Sequence, residues 1–425
     1  MNKFNRRQFI KALGAASAIG GLGFPLIGKA GAAAKVIVIG GGYGGATCAK
    51  YLRIYDSDID VTLIEKKEQY VSCPLSNEVL GGERDIKSLT FGYDGLAKHG
   101  VNVVHDEVTK IDPDKKTITT KGGKTHQYDM LVVSPGISFK WGAIEGYDEA
   151  ASELMPHAWK AGKQTEILRK QLEAMENGGT VIISAPPNPF RCPPGPYERA
   201  AQIAFYLSQH KPKSKVVILD SKDKFSKQGL FMEGWEALYP GKIDWVMAAN
   251  DGKVVGVDAE KGIVMTEFAE HKPAVANIIP PQKAGTLAEI AGLTNDSGWC
   301  PVDQGTFEST IHKDVYVIGD ASIAGKMPKS GYAANSQGKV CAMAIATKVA
   351  GQAMPVPSYV NTCYSLVGPH YGISVAMVYE LKDGEVVGVK GAGGLSPMKA
   401  PESTRRAESI YARSWYRNIT NDIFS

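Results

Sequence analysis

Gly40, Gly42 and Gly45 in KVIVIGGGYGG, followed 20 residues later by Glu65, have the residue types and the spacing that hold a dinucleotide. The first glycine permits a tight turn. The second lets backbone amides approach a pyrophosphate, and the third lets a helix pack closely on a strand. The anion then rests on a helix N-terminus, where N–H groups lack partners and the dipole favours negative charge. Glu65, at the end of a second apolar strand, is placed to accept hydrogen bonds from a ribose and argues against a 2′-phosphate. A second carboxylate, Asp320 in YVIGDA, ends another short apolar strand after Gly319. Its place is near the ribityl chain and pyrophosphate of FAD. In MPKSG just beyond, Lys329 has two readings: with the backbone N–H groups as its alternative, a donor to the pyrimidine side of a flavin, where reduction develops negative charge, or a surface lysine.

The elements that must position these groups follow from the pattern of apolar runs. Val36–Ile39 and Val61–Ile64 read as buried parallel strands flanking a helix that continues through residues 46–55. The stretch KKEQYVSCPLSNEVLGG reads as a loop running from the ribose end toward an isoalloxazine, with Cys73 held extended by Pro74. A hairpin-bearing insertion then returns through YDMLVVSPG, bringing Gly136 back to the first domain. A second nucleotide-binding unit starts at residues 179–183, but SAPPNPFRCPPGPYERA stands where a second glycine turn belongs. Its prolines remove the N–H groups that would cradle a pyrophosphate, so electrons must come from something other than NAD(P)H. Asp220 lies where that unit's ribose-binding acid would be, with little to bind.

The expected fold is α/β, with two Rossmann-like dinucleotide-binding-type domains of the FAD/NAD-linked disulfide reductase kind and a C-terminal α+β interface domain. The boundaries are a leader at 1–34, an FAD-binding domain at 35–150 and 285–350, a second Rossmann-like domain lacking the nicotinamide loop at 151–284, and the interface domain at 351–425. The last of these carries an aromatic tail, Tyr411, Trp415, Tyr416 and Phe424, suited to an interface or to a core.

A chain of 425 residues exceeds one ordinary core, and a net charge of +4 gives no footprint for nucleic acid. After residue 40 no apolar run is long enough to span a bilayer, so no integral membrane segment is expected in the mature chain. Asn5-Arg6-Arg7-Gln8-Phe9-Ile10-Lys11, a Gly/Ala-rich apolar run and small residues near Ala32 read as a twin-arginine export signal, hence a periplasmic protein exported already folded. The six cysteines then sit in an oxidising compartment. No CxxC is present, which argues against structural zinc, and no metal ligand set is expected. No CxxCH is present either, so the chain carries no c-type haem of its own.

YVSCPLSNEV, FRCPPGPYERA, GWCPVD, VIGDASI, MPKSGYAANSQGK and NTCYS together resemble the flavoprotein subunit of flavocytochrome c sulfide dehydrogenase, essentially from Arg6 to Ser425. A looser similarity, limited to the FAD motifs and fold, connects the chain to sulfide:quinone oxidoreductases. The resemblance implies FAD attached through its 8α position to the thioether of Cys73. It further implies a redox-active disulfide in which Cys192 matches one partner, and Cys363 or, as its rival, Cys300 matches the other. The implied activity is oxidation of hydrogen sulfide to sulfur or polysulfide, with electrons passing through the flavin to a c-type cytochrome subunit in a heterodimer. Glu198, six residues past Cys192, is a candidate proton acceptor or simply a first-turn helix carboxylate. The alternatives are a sulfide:quinone oxidoreductase and, in another class, a non-catalytic electron-transfer or assembly flavoprotein.

Overall fold

In the computed structural model, which describes residues 33–425, the strand Lys35–Ile39 lies at the centre of a five-stranded parallel sheet. Its neighbours are Asp60–Ile64 on one side and Met130–Val133 on the other, with Asn102–Val104 and Val315–Val317 at the edges. Val36, Val38, Leu131, Val132 and Val133 are wholly buried, as expected for strands covered on both faces. The helix Tyr43–Tyr55 covers one face together with the long helix Gly331–Val349. Their close approach depends on Gly338, where a Cβ would stand 2.7 Å from Gly44 O.

A second parallel sheet has the order Ile243–Val246, Lys215–Asp220, Thr180–Ala185, Val275–Ile278. The helix Gly195–His210 packs on it. The antiparallel pair Ile137–Phe139 and Gln282–Ala284 carries the chain between the two sheets. A third sheet, Ser358–Gly368, Tyr371–Lys382 and Glu385–Leu395, is antiparallel and is followed by the helix Glu402–Phe424. All of this forms one unit, Ala34–Ser425. The architecture is the α/β one expected, and the twin-arginine segment lies outside the described residues.

Two local readings change. The stretch after Glu65 is not wholly a loop: Tyr70–Val71 pairs with Thr90–Phe91, and Ser76–Gly81 is a short helix that starts after Leu75 in the left-handed conformation (φ 64°) and buries Val79 and Leu80. The aromatic tail divides. Tyr416 and Phe424 turn inward, Phe424 stacking on Phe91 at 5.0 Å, whereas Tyr411 is exposed. Lys50 Nζ fastens the tail by donating to Asp422 O at 2.9 Å and Ser425 O at 2.5 Å. Among the described residues, no helix is long and apolar enough to cross a membrane.

Candidate functional site

A cleft of about 530 Å³ opens at the C-terminal ends of the first sheet's strands, the place where open α/β sheets bind ligands. Gly40, Gly42, Glu65, Gly136, Gly319 and Asp320 all line it. Gly40 has φ +98°, which only glycine adopts without strain. A Cβ on Gly45 would fall inside the carbonyl of Gly40, so the helix could not seat against the turn. Glu65 is held at the rim by two backbone donors: Gly41 N–H to Oε2 at 2.8 Å and Lys67 N–H to Oε1 at 3.0 Å.

At the far end, Asp320 keeps one carboxylate oxygen, Oδ1, buried and without a hydrogen-bond partner, while Oδ2 lies 3.8 Å from Arg191 Nη1. Burial raises its pKa, opposed by Arg191 and Lys329. Buried polar atoms are nearly always paired, so an orphaned acceptor lining an open cleft is the feature a ligand hydroxyl would complete. Ser330 caps the helix Gly331–Val349 by accepting from Ala333 N–H at 3.1 Å, and its N-terminus faces the same space. The residues therefore fit FAD: a glycine turn, a ribose acceptor and a polyol acceptor, all lining one cleft.

Lys329 is placed by neither of its two readings. Its ammonium is buried against the Trp299 ring, 3.8 Å from the centroid, and donates to Asp320 O at 2.8 Å and Ser322 O at 2.9 Å. Burial pushes its pKa down to about 8. It does not line the cleft; its carbonyl instead accepts from Cys192 N–H at 2.8 Å. The cation at the inner end of the cleft is Arg191, whose guanidinium also donates to Trp159 O, and Lys160 stands exposed nearby. Arg191 has a sequence signal that local motif reading passes over: it is the one charged side chain in the proline-rich run 186–196.

A second, smaller cavity of about 100 Å³ adjoins the first, sharing Cys73 and Arg191 with it. Cys192, Glu198 and Cys363 line it together, with Trp159 closing one side. Cys192 comes from the proline loop with φ +56°, and Cys363 from the middle of the strand Ser358–Gly368. Cys300 is fully buried, bridged to Ser322, and lines neither cavity. All six cysteines are unpaired in this structure. Burial raises both thiol pKa values. At Cys192 the neighbouring Cys363 and Glu198 add to the rise, and Lys227 and Arg191 oppose it.

Glu198 does more than decorate a first turn. Its Oε1 accepts from Leu366 N–H at 2.7 Å and its Oε2 from Asn77 Nδ2 at 3.0 Å, so it joins three chain segments at the cavity wall. Burial raises its pKa against those two donors, and a carboxyl so placed is suited to carry a proton nearer neutrality. Behind it, Arg199 is 2 % exposed and donates to Asn77 Oδ1, His157 O, Ala158 O and Asn277 Oδ1, fixing the segment that bears Trp159. Asp220, the second unit's ribose position, is filled from within by Tyr197 Oη at 2.5 Å, Lys222 Nζ at 2.6 Å and Trp245 Nε1 at 3.0 Å.

Comparison with known proteins places these regions. Residues 165–280 match the family model described as the central region of the sulfide dehydrogenase [flavocytochrome c] flavoprotein chain, and residues 355–424 match its flavin-binding region. Residues 34–176 match a pyridine nucleotide-disulphide oxidoreductase model. The mitochondrial sulfide:quinone oxidoreductase of Dictyostelium discoideum is 24 % identical over 305 residues, 68 % of this chain and 65 % of that protein, so the chain spans a little under two thirds of that relative. The sulfide-quinone reductase of Aquifex aeolicus is 31 % identical over 43 % of this chain and 42 % of its own. The solved sulfide:quinone oxidoreductase from Aquifex aeolicus superposes with a TM-score of 0.71 at 19 % identity, covering 92 % of each chain. The fold is thus that of the pyridine nucleotide-disulphide oxidoreductases, and the flavin-binding model matched at residues 355–424 supports FAD as the cofactor.

Proposed function

We propose that this chain is an FAD-dependent sulfide dehydrogenase that oxidises hydrogen sulfide through Cys192 and Cys363 and passes the electrons to a partner c-type cytochrome in the periplasm. The observation that carries the reading is the shared cavity. Two cysteines 171 positions apart, each inside a segment matching the flavocytochrome c flavoprotein models, meet beside a buried carboxyl, and Cys73 lines both that cavity and the nucleotide cleft.

In the oxidised form, hydrosulfide enters the cavity and attacks one sulfur of the Cys192–Cys363 bond. The S–S bond breaks, one cysteine carries the persulfide Cys–S–SH, and the other leaves as a thiolate. Glu198 takes the proton released when hydrogen sulfide enters undissociated, and Asn77 and Leu366 keep its carboxylate aimed. Joining that thiolate to the outer persulfide sulfur as a Cys192–S–S–S–Cys363 bridge gives up two electrons and a proton, for which FAD, when bound, would supply an acceptor able to pass electrons on singly. Gly40, Gly42, Glu65 and Asp320 hold it, Arg191 compensates negative charge at its inner end, and Cys73 is the residue for an 8α thioether.

A second reading, electron delivery to a quinone, is favoured by the sulfide:quinone oxidoreductase relatives. The two separate in one assay: purified protein with sulfide and either cytochrome c or a short-chain quinone. Cytochrome reduction at the higher rate supports the proposal, and turnover with quinone alone overturns it.

A further inference from the structure

Beside the two cysteines stands a buried cation that the reaction as written does not use. Lys227 is 5 % exposed and begins the helix Gln228–Leu238 in the left-handed conformation, φ +61°. Its ammonium donates to Cys363 O at 3.0 Å and to Ser365 Oγ at 2.8 Å and lies 5.7 Å from the Phe231 ring centroid. Both hydrogen-bond acceptors are neutral. Burying an ammonium without a contacting carboxylate is costly, and the cost is offset when a negative charge appears nearby.

Opening a Cys192–Cys363 bond creates such a charge on one sulfur. We propose that Lys227 is a positioning residue that fixes the strand at Cys363 through its carbonyl and places its ammonium group beside Cys363, so that the sulfur released from the bond is held as a thiolate. This rests on the reading of Cys192 and Cys363 as the redox pair. The charged and titratable groups facing the two sulfurs are Lys227 from the start of its helix, Arg191 from the proline loop, Glu198 and Arg199 from the helix Gly195–His210, and each sulfur facing the other. Lys227 and Glu198 act on Cys363 in opposite directions, and at Cys192 Arg191 joins Lys227. Cys363 therefore depends on Lys227 alone for a favourable charge, and the effect of removing it is larger there.

The test uses flavin-loaded protein in the dithiol form. The rate of iodoacetamide alkylation at Cys363 and Cys192 is followed by peptide mass spectrometry from pH 6 to 10 for wild type, Lys227→Gln, Lys227→Met and Lys227→Arg. Gln keeps a donor toward both oxygens and removes only the charge, so it serves if Met does not fold. Loss of the charge is expected to move the Cys363 midpoint to higher pH, slowing alkylation roughly tenfold at pH 8, with a smaller shift at Cys192 and near-wild-type behaviour in Lys227→Arg. An unchanged Cys363 midpoint in folded, flavin-containing Lys227→Gln overturns the inference. Alkylation does not require turnover, so it is separable from the functional reading, which fails instead if Cys192→Ser and Cys363→Ser still oxidise sulfide.

Discussion

Two glycines three positions apart should fail in opposite ways when each is given a methyl group. A Cβ on Gly45 overlaps Gly40 O and comes within 3.1 Å of its carbonyl carbon and 3.2 Å of Ser134 Cβ, atoms of the backbone or fixed directly to it that cannot swing away. Gly45→Ala must therefore lift the helix Tyr43–Tyr55 off the turn, at about 1–3 kcal/mol, typical of overpacking. At Gly42 the nearest atom to a Cβ is Tyr70 Cε2 at 3.4 Å, and the backbone (φ −78°, ψ −168°) is open to alanine. Gly42→Ala should leave the fold intact, or firmer by about 0.4–1 kcal/mol through lost unfolded-state freedom. The methyl faces the cleft instead, and losing one N–H contact to a charged pyrophosphate costs about 1.5–3 kcal/mol, roughly 10- to 100-fold in FAD affinity. Both are made on a Cys73→Ser background so that flavin exchanges freely, and thermal midpoints are recorded against added FAD. Ligand linkage makes the Gly42→Ala deficit close as FAD rises, whereas the Gly45→Ala deficit persists at saturation. A Gly42→Ala deficit that FAD does not offset, or a silent Gly45→Ala, refutes the division of roles.

Three further outcomes follow from the same geometry. Denatured wild-type protein should show flavin fluorescence on a gel and Cys73→Ser should not; free flavin from the wild type contradicts the thioether. Glu198→Gln should slow flavin bleaching by sulfide about 100-fold and abolish a rate increase with pH whose midpoint, because burial raises the Glu198 pKa, lies above the ordinary carboxylate range; an unaltered pH profile removes Glu198 as the base. Asp314 works with the other sign. Burial raises its pKa, but the ammonium groups of Lys116 at 2.7 Å and Lys348 at 2.8 Å outweigh that and leave it lowered. The stability it adds is present above the unfolded carboxylate value near 4 and lost as pH falls through the lower folded value, so Asp314→Asn should lower the thermal midpoint at pH 7 and lose that difference near pH 2, as read by calorimetry.

The nucleotide cleft was legible because its logic is local. Three glycines, two strands and Glu65 lie within 31 residues, and strand and helix periods fix where each points. Asp320 was legible for the same reason, as a carboxylate ending an apolar strand. Lys329 was not, because its direction is decided by the carbonyls of Asp320 and Ser322 and by the Trp299 ring, none of which a local pattern reveals. The cavity at Cys192 depends on tertiary contacts alone: the Glu198–Leu366 hydrogen bond spans 168 positions, and it is this packing of the helix Gly195–His210 on the strand Ser358–Gly368 that puts Cys363 and not Cys300 in the cavity. The short helix after Cys73 was hidden by Pro74, which marks an extended residue before it but not the left-handed Leu75 that restarts the chain.

The most direct test of the account is anaerobic mixing of the flavin-loaded protein with one equivalent of sulfide, monitored by flavin absorbance and followed by peptide mass spectrometry. The account predicts bleaching in wild type with one extra sulfur bridging Cys192 and Cys363, and neither signal in Cys192→Ser or Cys363→Ser, each retaining its flavin. Bleaching at the wild-type rate in either variant would contradict it.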